Sequence, residues 1–366
     1  MSFHGSYRPE DVEFLLTPIQ QVALLQVEEK ERLIQSGARH YSEMLTPETL
    51  PSDAYLQLFA DALDRNAARM ARDCLSLAAH LASRTQESIV LASLARAGTP
   101  VGAIVKRLLE QCFDRTAHHY SISIIRDRGI DWAALDHIRR RHGSDQILFL
   151  DGWTGKGVIS RELHSAIADY NAARQAQVPP HLYVLADLCG VAHYAASYED
   201  YLIPSAILNA TVSGLVSRSI LNEQIQPGQF HGCLFFEEFR ANDLSIALVD
   251  EIVGQARRLP PPPPNGSDYA VIHAVRSESR RVSEQYMASA SAAYGISNPN
   301  YIKPGIGEAT RVLLRRLPDL LLLRNAEEAD VAHLQRLALE RGVPVEIDPT
   351  LPYSAVSLIR QTKVGD

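Results

Sequence analysis

"ILFLDGWTGKGVI" occupies residues 147–159. Four apolar residues, Ile147 to Leu150, run straight into Asp151 and then into small residues broken by Trp153 and Lys156. An apolar run without alternation fits a strand buried on both faces, as in a parallel sheet. Gly152, Gly155 and Gly157 strip side chains from the turn that follows, so backbone N–H groups can approach an anion. A helix starting near Val158 would add its positive N-terminal end to the same field. Thr154 offers a hydroxyl, Lys156 a cation, and Asp151 an acceptor for sugar hydroxyls or a metal ion. The spacing is not that of a Walker A loop, in which Ser or Thr follows the lysine; here Gly157 does. A glycine-rich turn that binds nothing is the competing reading.

Similar units lie on either side. "SIVLASLARAGTP" (88–100) reads as a buried strand ending in a glycine-bearing loop, with "VGAIVKRLLEQC" as the next helix. "HHYSISIIRDRGID" (118–131) is a second strand-to-loop unit, and "PHLYVLADLCGVA" (180–192) a fourth strand. Residues 20–40 and 53–84 have helical spacing, as does the segment after Val158. Strands alternating with helices predict an α/β fold with a parallel sheet and right-handed crossovers. Ligands of such sheets sit at the carboxyl ends of the strands, where all four loops would converge. In the second loop Gly98 permits close backbone approach and Arg96 can grip a phosphate with two N–H groups. Thr99 and Pro100 are also an ordinary helix start, which leaves Arg96 as a surface residue in the alternative.

The chain has 366 residues, 46% hydrophobic and 22% charged, which is the balance of an ordinary globular protein. No apolar run approaches the ~20 residues of a membrane span, and the N-terminus lacks a secretory pattern. Cys74, Cys112, Cys189 and Cys233 form no CxxC pair, so no metal site and no disulfide framework is expected, and the cytoplasm is the expected compartment. A net charge of −7 argues against broad nucleic-acid binding and leaves room only for a local basic patch. "RRLPPPPPNGSD" (257–268) marks the boundary, because five prolines form an extended spacer before an Asn-Gly turn. The division is therefore 1–258, a proline-rich linker 259–267, and 268–366. Beyond the linker, "DYAVIHAVRSE" reads as a strand, "RRVSEQYMASASAAYG" as a helix, and the last seventy residues as a smaller α/β unit. "YLIPSAILNATVSGLVSRSI" (201–220) reads as a helix with Ser205, Asn209 and Ser213 on one face.

The quoted stretch resembles the phosphoribosyl-pyrophosphate (PRPP) signature of type I phosphoribosyltransferases, and "SLARAGTPVG" resembles that family's pyrophosphate loop. Gly152 stands where the signature has its second acid. The resemblance implies a phosphoribosyltransferase-like domain and an enzyme acting on PRPP or a related ribose phosphate, with Mg²⁺ accompanying the substrate. It implies that Asp151 holds the ribose hydroxyls, that Thr154, Gly155, Lys156 and Gly157 take the 5′-phosphate, and that Arg96, Ala97 and Gly98 take pyrophosphate. Arg126 and Arg128 of "SIIRDRGID" fall where the family keeps a mobile catalytic loop and would cover the leaving group. More closely, "ERLIQSGARHYSEML", "SISIIRDRGID", "DGWTGKG" and "YLIPSAILNATVSGLVSR" resemble the StiP family of bacterial tellurite-resistance and stress gene clusters. The C-terminal segment resembles a Pelota-like RNA-binding domain. That implies RNA contacts at Lys303, Gly307, Glu308, Arg311 and Arg315.

Three functions follow. Phosphoribosyl transfer is ranked first, and a non-catalytic sensor of a ribose phosphate or RNA second. Third is cysteine proteolysis, a label the StiP family has also carried. Its local pairs, Cys189 with His193 and Cys233 with His231, are a poor signal because such dyads usually assemble from distant segments.

Overall fold

The computed structural model describes residues 2–84, 87–260, 262 and 269–361. Most of the expected linker, 261 and 263–267, therefore lies outside the described residues.

Six strands form the main sheet: β1 (Glu13–Phe14), β2 (Ile89–Leu94), β3 (Ala117–Ile122), β4 (Ile147–Thr154), β5 (Leu182–Asp187) and β6 (Tyr194–Ser197). Their order is β1-β3-β2-β4-β5-β6, and every pairing is parallel. The apolar runs are continuous because both faces are covered. Leu91, Leu148, Leu150 and Tyr183 face one layer of helices, α2 (Asp53–Arg84), α3 (Gly98–Cys112) and α6 (Ser245–Ala256). Val90, Ala92, Phe149 and Val184 face the other, α4 (Trp132–His142) and α5 (Val158–Arg174). Consecutive residues point to opposite faces, so each strand feeds both cores.

The C-terminal unit is a four-stranded sheet of β7 (Ile302–Pro304), β8 (Pro318–Leu323), β9 (Val345–Ile347) and β10 (Ala355–Ile359), in the order β7-β10-β8-β9. Helices α8 (Ile306–Arg315) and α9 (Ala332–Arg341) cover one face. Their buried residues Ile306, Leu313 and Leu334 belong to the same apolar cluster as α2 and α3, so the two units share one core. The opposite face packs on α7 (Tyr269–Ala293) through Tyr286, Met287 and Ala290.

Three local expectations are corrected. Residues 269–278 are not a strand, since α7 is one helix through to Ala293, and residue 268 of that expected strand lies outside the described residues. No Gly or Pro interrupts it, and Ser283, Tyr286 and Ala290 recur on its covered side. Residues 201–220 are not a helix but short 3₁₀ turns at Pro204–Ala206 and Ala210–Val212. Gly214 stops regular structure there with φ +80°, packed so closely that a Cβ would lie 2.9 Å from the rings of Tyr7 and Phe14. Within 20–40 only α1 (Val27–Gln35) is α-helical. An α/β protein with a parallel sheet and a smaller C-terminal α/β unit is what the chain forms.

Candidate functional site at the junction of the two units

The strand order places β2 beside β4, yet the chain leaves them in opposite directions, through α3 to β3 and through α5 to β5. This is the sheet's switch point, where departing connections open a crevice at the carboxyl ends. Both glycine-bearing loops start there. A Cβ on Gly98 would lie 2.5 Å from the Leu150 carbonyl oxygen, and one on Gly152 would lie 3.6 Å from the Ala97 carbonyl oxygen. The Arg96–Gly98 and Asp151–Gly157 segments thus stand side by side, and glycine lets the first rest on the backbone of the second.

Their side chains take different tasks. Arg96 is buried and donates to Glu48 Oε1 and to the Val216 carbonyl, each at 2.6 Å. Asp151 accepts the Gly152 N–H at 2.8 Å, and burial pushes its carboxyl up to about 6, with Arg311 opposing. The Thr154 hydroxyl accepts the Gly157 N–H at 3.1 Å, so it holds the turn itself. Lys156 reaches across to the C-terminal unit, donating to the carbonyls of Pro299 and Ile302. Burial and Lys303 push its ammonium down to about 6. Arg126 and Arg128 sit in the turn of a tight hairpin, Ile124–Ile125 with Gly129–Ile130. Arg126 covers the Tyr41 ring at 5.2 Å and lines the junction, whereas Arg128 turns away to Glu43.

The five residues expected to meet RNA also lie at this junction. A Cβ on Gly307 would lie 2.4 Å from the Trp153 ring, and Arg311 lies over that ring at 4.3 Å. Glu308 bonds Arg311 at 2.6 Å and pairs with Lys303 at 3.7 Å. Burial alone would raise the Glu308 carboxyl, but Arg311 and Lys303 hold it down at about 2. Arg315 donates to Asn209, and burial with Arg96 nearby lowers its guanidinium well below the usual range.

Between the units lies a cavity of about 200 Å³, bordered by a second of about 270 Å³. Asp151, Trp153, Arg218, Arg311 and Arg315 line both, and Arg96 lines the first. Among the described residues, fourteen buried side-chain polar atoms lack a hydrogen-bond partner. Five of them belong to the lining of the first cavity: Trp153 Nε1, Ser205 Oγ, Arg218 Nη1, Ser219 Oγ and Arg315 Nε. All five can donate. Unmade hydrogen bonds are costly when buried, but none of these atoms opens into the cavity: each has almost no accessible surface, and Trp153 Nε1 lies against Gly307. Ser205, Asn209 and Ser213 line it as well, carried there by irregular chain rather than by a helix face. Sequence reasoning missed Tyr41, Glu48 and Lys30. They come from turns and a short helix, and only the folded chain shows that they converge.

Cys189 Sγ lies 3.6 Å from Thr154 Oγ1 and 3.5 Å from Asp187 Oδ1; burial and then Asp187 push it far up. Burial pushes Cys233 up to about 12. His193 stacks on His181 at 3.7 Å, and His231 Nδ1 meets Ser123 Oγ at 2.8 Å.

Comparison with known proteins returns two family models. One, described as "Tellurite-like stress resistance cysteine protease StiP", matches residues 5–253, and the "PELOTA RNA binding domain" matches residues 281–361. A relative from Acinetobacter baylyi named "Cysteine protease StiP" is 40% identical over 374 aligned positions, covering 99% of this chain and 96% of its own. Among solved structures, a hypoxanthine phosphoribosyltransferase from Trypanosoma cruzi is 14% identical over 36% of this chain and 72% of its own, with TM-score 0.25. A probable N-succinyldiaminopimelate aminotransferase from Thermus thermophilus is 13% identical over 73% of this chain and 79% of its own, with TM-score 0.21. Likeness this slight carries no argument about the fold. The ranking of functions is corrected here. Phosphoribosyl transfer from PRPP with release of pyrophosphate was placed first and proteolysis last, but the family model and the relative both bear the name of a cysteine protease, a hydrolase. The loop motifs misled because a glycine turn at a switch point signals an anion and not a reaction.

Proposed function

The chain belongs to the StiP family, and from that premise we propose that its two α/β units jointly hold an anionic ligand in the cleft between them. Cys189 is then the thiol through which the family's named hydrolysis would run. The observation that carries the cleft reading is the gathering of Arg96, Arg218, Arg311 and Arg315 on the lining of one cavity. A phosphate or carboxylate would relieve the crowding of like charges. Calorimetric titration of the full chain with inorganic phosphate tests it. Saturable binding that Arg315→Met weakens supports the cleft, and no binding, or binding indifferent to that change, refutes it.

The hydrolase reading has its own support. Cys189 follows β5 at the carboxyl edge of the sheet and touches Thr154 of the cleft loop. Asp187 lies within reach of its proton. A buried protonated thiol is a weak nucleophile, so attack on a carbonyl would first require Asp187 to take that proton. Loss of peptide hydrolysis in Cys189→Ser but not in Cys233→Ser supports this assignment; equal activity in both removes it.

The phosphoribosyltransferase-like architecture of the first unit remains part of this reading as fold alone, supported by two glycine loops at one switch point. The division at the 259–267 linker goes with it, supported by matched ranges that fall on either side. The cleft does not suit the Mg²⁺ expected with a sugar phosphate. Asp151 already accepts an N–H, Glu48 and Glu308 are paired with arginine, and the surroundings are cationic. No step is derived through that ion. No described helix is long and apolar enough to cross a membrane. Four free cysteines support a reducing, cytoplasmic setting.

A further inference from the structure

We propose that the cleft takes the phosphorylated end of an unpaired RNA strand. This rests on the anion-binding reading above and names the ligand. The unit matched as RNA-binding does not turn Arg311 and Arg315 to open solvent; it turns them into the cavity, against Trp153 and Asn209. An RNA that uses these residues must therefore enter the cleft. Cavities of about 200 and 270 Å³ fall just below the ~300–1,000 Å³ of ordinary small-ligand sites. That space suits one phosphate with part of a nucleotide and excludes a helix. The net charge of −7 opposes RNA lying along the outer surface, so attraction is confined to the junction.

Charge favours an end over an internal linkage. A phosphodiester offers two free anionic oxygens, while a terminal phosphomonoester offers three and carries more charge. Arg218, Arg311 and Arg315, gathered on the lining of one cavity, match the more highly charged group better. The aromatic walls suit an unpaired base next to that phosphate. Arg126 and Arg218 over Tyr41, and Arg311 over Trp153, line the adjoining cavity, and RNA bases stack on guanidinium planes as they do on aromatic rings. Either the 5′ or the 3′ end satisfies this chemistry.

The test measures binding of one short single-stranded RNA to the full chain in three forms: 5′-phosphate, 3′-phosphate, and hydroxyl at both ends. One phosphorylated form is expected to bind about tenfold to a hundredfold more tightly than the hydroxyl form. Inorganic phosphate should displace it, and Arg311→Met should bring the ratio toward one. Arg311 lines the cleft itself, so its loss should act on the ratio directly, and urea unfolding of the variant checks that it folds. Equal affinity for all three forms, or RNA that resists phosphate at concentrations that fill the cleft, overturns the inference. Saturable phosphate binding in the same preparation would leave the anion-binding reading standing in that case.

Discussion

Two sets of arginines lie inside this protein, and their surroundings are opposite. Arg107 is buried with every branch of its guanidinium on a carboxylate: Nε and Nη2 on Asp11, Nη1 on Asp250, each at 2.5 Å. Burial opposes its charge, but Asp11 and Asp250 more than offset that and raise its pKa. Arg218 and Arg315 face the cleft among other cations. Burial brings Arg218 down to about 10 and lowers Arg315 well below its usual range. Each keeps one buried N–H without a partner. A guanidinium closed off by carboxylates is structural. One crowded by its own kind, with Glu48 offsetting only part of that, is stabilised further when an anion arrives.

The sharpest test of that contrast is to remove one arginine from each set. Arg107→Met strands Asp11, which has no exposure to water. Leaving a buried charge unpaired costs about 3–5 kcal/mol, so the urea midpoint should fall steeply. Phosphate affinity of the folded variant should stay within about twofold, because the pair is outside the cleft. A variant as stable as the parent would mean that the Asp11–Arg107 pair contributes nothing and the contrast fails.

Arg315→Met should do the reverse. It removes a cation that Arg96 and Arg218 repel, so stability should hold or rise by about 1 kcal/mol. Phosphate binding, by contrast, should weaken about tenfold to a hundredfold, the loss of a charge-assisted hydrogen bond or two. Paired calorimetry and urea unfolding check both halves. A stability loss like that of Arg107 would place Arg315 with the structural set. Function kept at the expense of stability is the expected signature of a binding wall.

The sequence disclosed the parts of this arrangement that depend on local chemistry. Apolar runs such as Ile147–Leu150 are buried on both faces, and the glycines at 98 and 152 stand where backbones nearly touch. Both loops were therefore legible, and so was the α/β class. What was hidden depends on tertiary contact. Lys156 has the look of a phosphate ligand, but it spends its N–H groups on the C-terminal unit because β7 lies within reach. Arg311 and Arg315 have the look of a free RNA face, but α8 packs on Trp153 and closes that face over the cleft. The polar stripe at 205, 209 and 213 reaches the cavity by short 3₁₀ turns, which four-residue spacing does not reveal. Periodicity cannot report which surface a later domain will cover.

The finest contrast separates the lysines from the arginines on the same wall. Burial brings Lys156 down to about 6 and Lys30 to about 7, against 10.5 for a free ammonium. Above these values each is neutral in the folded protein and still protonated when unfolded. The unfolded chain then binds more protons, so stability must rise with pH from about 7 toward 10 and is lowest where both lysines are charged in place. A slope of about 2–3 kcal/mol per pH unit, roughly half from each lysine, is expected in urea unfolding between about pH 7 and 9. Asp151, raised to about 6, has the opposite sign but completes its titration below this window. His80 and His193, lowered to about 4, share the sign of the lysines, but their contribution is complete by the ordinary histidine pKa near 6.5. Lys156→Met should remove about half of the slope, leaving the Lys30 share. Saturating phosphate should flatten it too, because a bound anion favours the charged ammonium and draws its pKa back up. If the slope survives both undiminished, the lysines are held neutral by packing alone, and the cleft's demand for an anion belongs to the guanidiniums.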